Sequence, residues 1–195
     1  MAHQNKERPV THIVLFHHAL GLTSGVRRFA DRLRAGGHEV TLPDLYDGAV
    51  FDDLDAGVAH AEATGFGTII ERGVAAAADL RADVVYAGMS LGVMPAQKLA
   101  QTRPGARGAL LLHEGIASEN FGGPWPAGVG LQVHVAELDP WCELAATRAL
   151  GDEAGGELFL YPGDAHLFTD EGSGEYDAAA TDLVVDRSLA FLGQL

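Results

Sequence analysis

Short apolar runs recur along this chain, each followed by a turn and then by a stretch of helical periodicity. Residues 10–16 (VTHIVLF), 83–89 (DVVYAGM), 109–113 (ALLLH), 131–136 (LQVHVA) and 157–161 (ELFLY) have strand length. Several are rich in the β-branched residues that strands favour. Residues 38–42 (HEVTL) form a shorter run ended by Pro43. After the candidate caps Thr23 and Ser24, Val26, Phe29, Ala30 and Leu33 fall at helical spacing, and Gly36-Gly37 stops the pattern. Residues 52–63, 68–80, 93–101, 141–150 and 176–192 read as further helices. Strands that are apolar throughout must be covered on both faces, so the chain is expected to be α/β: one doubly wound, mostly parallel sheet of about six strands with helices on both sides. Ligands of such sheets sit beyond the carboxyl ends of the strands. Residues that carry chemistry should therefore follow strand ends.

With 195 residues and no composition break, the expectation is a single domain over 1–195, with residues 1–8 as a disordered tail. The start, MAHQNKERPV, lacks the apolar segment of a secretory signal, and no run approaches the length of a membrane span. The net charge of -14 argues against nucleic acid, whose phosphates need a concentrated basic face. A lone cysteine, Cys142, leaves no internal disulfide and fits a reducing compartment. A cytoplasmic protein, monomer or small homo-oligomer, without nucleic-acid or membrane partners is the expectation.

Against that frame the segment Gly88-Met89-Ser90-Leu91-Gly92 stands out, because it joins the strand DVVYAGM to a helix. A serine on so tight a turn needs small neighbours, and it presents its hydroxyl above the sheet at a helix N-terminus. Such a hydroxyl attacks only if a base takes its proton. Asp139 follows the strand 131–136 and His166 follows the strand 157–161, in the order serine, acid, histidine. Among nine histidines, His3 lies in the tail, His38 opens a strand, His60 sits in a surface helix, His113 precedes any suitable acid and His134 lies inside a strand. Glu137 and Asp164 are weaker acids, the first still in its strand and the second only two residues from His166.

An oxyanion needs two backbone N–H donors. Leu91, after the serine, supplies one, and the loop His17-His18-Ala19-Leu20-Gly21 after the first strand supplies the other, at Ala19. Two adjacent histidines without a clear third ligand make a poor zinc site, so no metal and no cofactor are expected. Cys142 reads as a partly buried small residue. Glu114, Asp170 and Glu171 could stand near the site mouth, but each reads better as a solvated loop charge; Gly122-Gly123-Pro124-Trp125-Pro126 could line or cover the entrance, but reads better as a surface loop. With no lid in evidence, small accessible substrates are favoured.

Taken together these stretches resemble the dienelactone hydrolase family of α/β-hydrolases. The likeness runs through His18-Ala19-Leu20-Gly21-Leu22, Phe29-Ala30-Asp31-Arg32-Leu33, Gly37-His38-Glu39-Val40, Pro43-Asp44-Leu45-Tyr46, the Ser90 turn, Leu138-Asp139 and Ala165-His166-Leu167-Phe168. It spans nearly the whole chain and implies an α/β-hydrolase fold. Founding members carry a cysteine where this chain has Ser90, and a glutamate in the early loop where it has His18, which makes His18 a candidate substrate contact. Their arginine after the histidine is matched by Asp170, so a negative charge is expected where a cation holds the substrate carboxylate. Such a pocket would repel that carboxylate. The expected activity is a serine hydrolase cleaving a small ester or lactone through Ser90, His166 and Asp139. Thioester or amide cleavage would use the same residues, and the alternative is a non-catalytic binding or regulatory protein on the same scaffold.

Overall fold

Whether an alternating chain closes into one sheet depends on its strands being apolar on both faces, and here they are. The computed structural model describes residues 10–195, so the expected tail at 1–8 lies outside the described residues. Strands β1 (His12–Phe16), β2 (Glu39–Thr41), β3 (Val85–Met89), β4 (Gly108–Leu112), β5 (Gly130–Ala136) and β6 (Glu157–Tyr161) form one sheet in the order β2-β1-β3-β4-β5-β6. Every pairing is parallel. After β1 the chain moves outward to β2, then crosses back to lay β3 on the other side of β1. The direction of winding reverses there, which opens a crevice at the carboxyl ends of β1 and β3.

The helices are α1 (Ser24–Ala35), α2 (Leu54–Thr64), α3 (Phe66–Ala77), α4 (Val93–Thr102), α5 (Leu144–Ala154) and α6 (Ala178–Leu192). Alternate strand residues serve opposite layers. Ile13 and Leu15 of β1 pack with Val26, Phe29 and Leu33 of α1 and Val184 of α6. Val14 and Phe16 pack with Ile69 of α3, Val93 and Ala96 of α4 and Leu150 of α5. Thr23 caps α1 by accepting the Val26 N–H, whereas Ser24 is already helical. Asp53 and Asp177 cap α2 and α6 in the same way.

Two helices differ from the periodic pattern for identifiable reasons. The stretch expected at 68–80 begins at Phe66, directly after Gly65 (φ 88), and ends at Ala77. There the Arg103 guanidinium donates to the carbonyls of Ala77, Ala78 and Leu80 and takes over the helix end. The helix expected from 141 begins at Leu144, because the Cys142 N–H closes a turn onto the Asp139 carbonyl. His60 is half-buried rather than on an open surface, its ring 4.6 Å from that of Tyr46. No helix among the described residues is long and apolar enough to cross a membrane.

The approach of α4 to the sheet is set by two glycines. A Cβ at Gly88 would lie 2.3 Å from the Gly92 carbonyl oxygen, and one at Gly92 would lie 2.3 Å from that of Phe16. Backbone cannot yield as a side-chain tip can. Gly92→Ala is therefore expected to cost about 1–3 kcal/mol of stability, the range for overpacked interiors. A urea denaturation midpoint equal to that of the unaltered protein would show that the helix can back away.

Candidate active site

At the end of β3 the backbone turns through Ser90 at φ 49, a left-handed conformation that L-residues seldom adopt. A single 3-10 turn (Ser90–Gly92) then leads into α4. The strain sits where the Gly88 and Gly92 contacts hold both sides of the turn. From this position the Ser90 hydroxyl donates to His166 Nε2 at 2.7 Å. His166 Nδ1 in turn donates to Asp139 Oδ2 at 2.7 Å. That carboxylate is fixed by the Trp141 N–H, which donates to Oδ1 at 2.9 Å. All three side chains are buried, and each follows the carboxyl end of its own strand, β3, β6 and β5 respectively. Glu137 and Asp164, the rival acids, are exposed. With Nδ1–H engaged by the carboxylate, Nε2 is left as the acceptor facing the serine, the tautomer a general base requires.

The loop after β1 forms the opposite wall. Ala19 and Leu91 both line the cavity with Ser90. The Ala19 N–H donates to no group among the described residues, so it is free to serve an incoming oxygen. The carbonyl of the same residue is pinned by α2: a Cβ at Gly57 would lie 2.3 Å from it. His17 uses both ring nitrogens structurally, donating from Nδ1 to the His18 carbonyl and accepting the Leu45 N–H at Nε2. Burial lowers its pKa to about 4, in keeping with an accepting, neutral ring.

His18 departs from the expectation of a substrate contact. It is fully buried and does not line the cavity. Its Nδ1 accepts the Leu20 N–H, which leaves the proton on Nε2 to be donated to Asp170 Oδ2 at 2.6 Å. The ring thus anchors the Ala19 loop from behind. Asp170, expected as a solvated charge and as a negative group facing the substrate, is instead buried behind that loop. Besides His18 it accepts from the Thr23 hydroxyl and the Gly172 N–H, each at 2.6 Å. Burial pushes its carboxyl up, but these hydrogen bonds outweigh burial and hold it below the usual carboxylate range. Gly25 makes room for it, since a Cβ there would overlap the Asp170 carboxylate. Glu171 is exposed and pairs with Arg28, as a solvated charge does.

The cavity over Ser90 holds about 210 Å³ and is walled chiefly by Val58, Phe66, Met94, Leu91 and Trp141. Glu114 lines it as well and is mostly shielded from solvent, contrary to the solvated-loop reading. Burial raises its pKa to about 7, with Asp139 and Glu143 adding to the rise and His166 opposing it. The residue stands just past the end of β4, so the strand-end rule that singled out Asp139 and His166 would have flagged it. No sequence signal marked Val58, Phe66 or Trp141, which reach the cavity from α2, α3 and a turn respectively. His113 is buried beside the site, bonded through Nε2 to Thr169 Oγ1 at 2.8 Å with Nδ1 unpartnered. Burial, then His166, His18 and His134, keeps its pKa well below the ordinary value. His134 is a satisfied interior histidine, bonded to Tyr161 and Gln132. Cys142 is partly buried near Thr147 Oγ1, as a small filler would be.

A sequence model of the dienelactone hydrolase family matches residues 1–195. The chain belongs to this family. Among solved structures, the dienelactone hydrolase-like promiscuous phosphotriesterase from metagenomic libraries superposes with a TM-score of 0.74 at 20% identity, covering 98% of this chain and 89% of that one. The dienelactone hydrolase of Anabaena variabilis gives a TM-score of 0.67 at 18% identity, covering 95% and 87% of the two chains. The thioesterase domain from the curacin biosynthetic pathway gives 0.61 at 11% identity, over 91% and 92%. At such identities the likeness is one of fold. No curated protein sequence matches the chain. Membership of the dienelactone hydrolase family makes the protein a hydrolase on the α/β-hydrolase fold.

The position of Glu114 carries a pH signature. Its carboxyl titrates near 4.5 when free and near 7 in the fold, so the native state binds the extra proton between those values. Stability contributed by the protonated form is full below the lower value and is lost as pH rises through the upper one. The stability of the natural protein relative to Glu114→Gln is therefore expected to fall between about pH 4.5 and 7 and then level off. Chemical denaturation of both proteins at pH 5 and pH 8 measures it, and a pH-independent difference would refute the raised pKa.

Proposed function

We propose that this dienelactone hydrolase family member is a serine hydrolase that cleaves a small ester or lactone through an acyl-enzyme intermediate. The observation that carries this reading is the continuous hydrogen-bonded chain from the Ser90 hydroxyl through His166 to Asp139 beneath an apolar cavity. In the first step His166 Nε2 takes the Ser90 proton as Oγ attacks the carbonyl carbon, and Asp139 stabilises the imidazolium that forms. The amides of Leu91 and Ala19 hold the oxyanion, the first aided by its place at the start of a helical segment. His166 then returns the proton to the leaving alcohol oxygen. The same base next activates water, which attacks the acyl carbon and frees the acid and the Ser90 hydroxyl.

The small cavity favours compact substrates. The single sheet supports reading the chain as one domain, and the lone Cys142 supports a reducing, cytoplasmic setting. Ser90→Ala is expected to lower ester turnover on the order of 10³-fold or more if the three residues act as a unit. A substrate-independent check is labelling with a fluorophosphonate, read by peptide mass spectrometry. A stoichiometric adduct on Ser90, lost in His166→Ala, is the expected result. A folded natural protein that takes no label would favour a binding protein on the same scaffold instead.

A further inference from the structure

We propose that Glu114, with the aromatic walls of the cavity, selects small esters that carry an ammonium group, an inference that rests on the Ser90 hydrolase chemistry above. Among the described residues the cavity lining has one carboxyl, Glu114, and neither lysine nor arginine; apart from Ser90 and His166 the remaining lining residues are apolar. The Glu114 carboxyl has no hydrogen-bond or ion-pair partner among the described residues. A shielded carboxylate without a partner is costly, and a cation that enters beside it removes that cost. Trp141 and Phe66, both exposed, line the same cavity, and aromatic rings attract quaternary ammonium groups. The net charge of -14 favours the approach of cations over anions to the protein as a whole.

The groups facing Glu114 sharpen the choice. His166, Asp139, Glu143 and Cys142 are the titratable neighbours. Asp139 and Glu143 add negative potential, while His166 is committed to Ser90 and Asp139. A substrate carboxylate placed beside the ionised Glu114 would be repelled. A neutral ester would leave Glu114 divided between its protonated and ionised forms near pH 7, whereas an ammonium ester favours the ionised form and pairs with the carboxylate. Discrimination should therefore grow as pH rises through about 7.

The test compares acetylcholine with 3,3-dimethylbutyl acetate, which has the same shape with carbon in place of the cationic nitrogen. The readout is the ratio of their kcat/KM values, in which any general loss of activity cancels. At pH 8 and low salt the ratio is expected to be about tenfold or more in favour of acetylcholine, equivalent to about 1.4 kcal/mol. It is expected to shrink at pH 5.5 and, in Glu114→Gln, to be smaller at pH 8 than in the natural protein and to lose its dependence on pH. A ratio at or below unity in the natural protein, or one unchanged by Glu114→Gln, would overturn the proposal. Calorimetry of phenyltrimethylammonium binding to Ser90→Ala and to Ser90→Ala/Glu114→Gln separates the two readings. Tighter binding to the first, without turnover of any ester by the natural protein, would sink the hydrolase mechanism and keep the cation site. Ser90-dependent turnover with equal binding to both would do the reverse.

Discussion

The site exists because two backbone segments touch where a side chain would hold them apart. The Gly92 Cα lies against the carbonyls of Phe16 and His17, at the exit of β1, and Gly88 lies under the Gly92 carbonyl. This contact brings the start of α4 and the loop after β1 to the two sides of one crevice, which is the reversal point of the sheet. Without it, Leu91 and Ala19 would not line the same cavity as Ser90. The strained Ser90 turn follows from the same constraint. A left-handed serine persists because the strand before it and the helix after it are both locked by packing.

Around this contact, polar groups are buried in number, and the way they are satisfied divides scaffold from site. His17 ties the loop to Leu45, and His18, Asp170 and Thr23 tie it to the start of α1. Phe51 ties it to the segment before α2 through the Leu20 carbonyl. Every one of these groups has its partner, so they rigidify the loop that presents the Ala19 amide. Among the described residues, buried and unpartnered are Thr11 Oγ1 and Tyr86 OH, away from the cavity, and His113 Nδ1, whose ring lies 5.7 Å from that of His166. At the cavity itself the Glu114 carboxyl and the Ala19 amide have capacity that a ligand can meet.

Much of this was legible from the sequence, and the parts that were not share a cause. Strand-length apolar runs and helical spacing revealed the parallel α/β sheet, because burial on both faces leaves no alternation to confuse with a surface strand. The same pattern placed Ser90, Asp139 and His166 after strand ends, where the structure brings them into one hydrogen-bonded chain. Helix ends were harder. The end of α3 depends on Arg103, a side chain 26 residues away from Ala77, and no local signal encodes that contact. The cavity walls were harder still. Phe66, Met94 and Trp141 come from separate elements, and their meeting is a tertiary fact without a spacing rule.

His18 and Asp170 show most clearly how position and environment differ. Taken as replacements for family residues, they suggested a substrate contact and a negative charge in the pocket. In the fold each satisfies the other, and the pair is turned away from the cavity to brace the loop. The His18 ring and the Ala19 loop stand between Asp170 and the cavity, so no bound ligand can touch that carboxylate. The negative group that faces the ligand is instead Glu114, on a different strand end, with no donor to offset it. In our proposal the group that disfavours carboxylates is therefore an unpaired glutamate rather than a paired aspartate. That relocation matters, because only an unpaired carboxyl can both reject an anion and reward a cation.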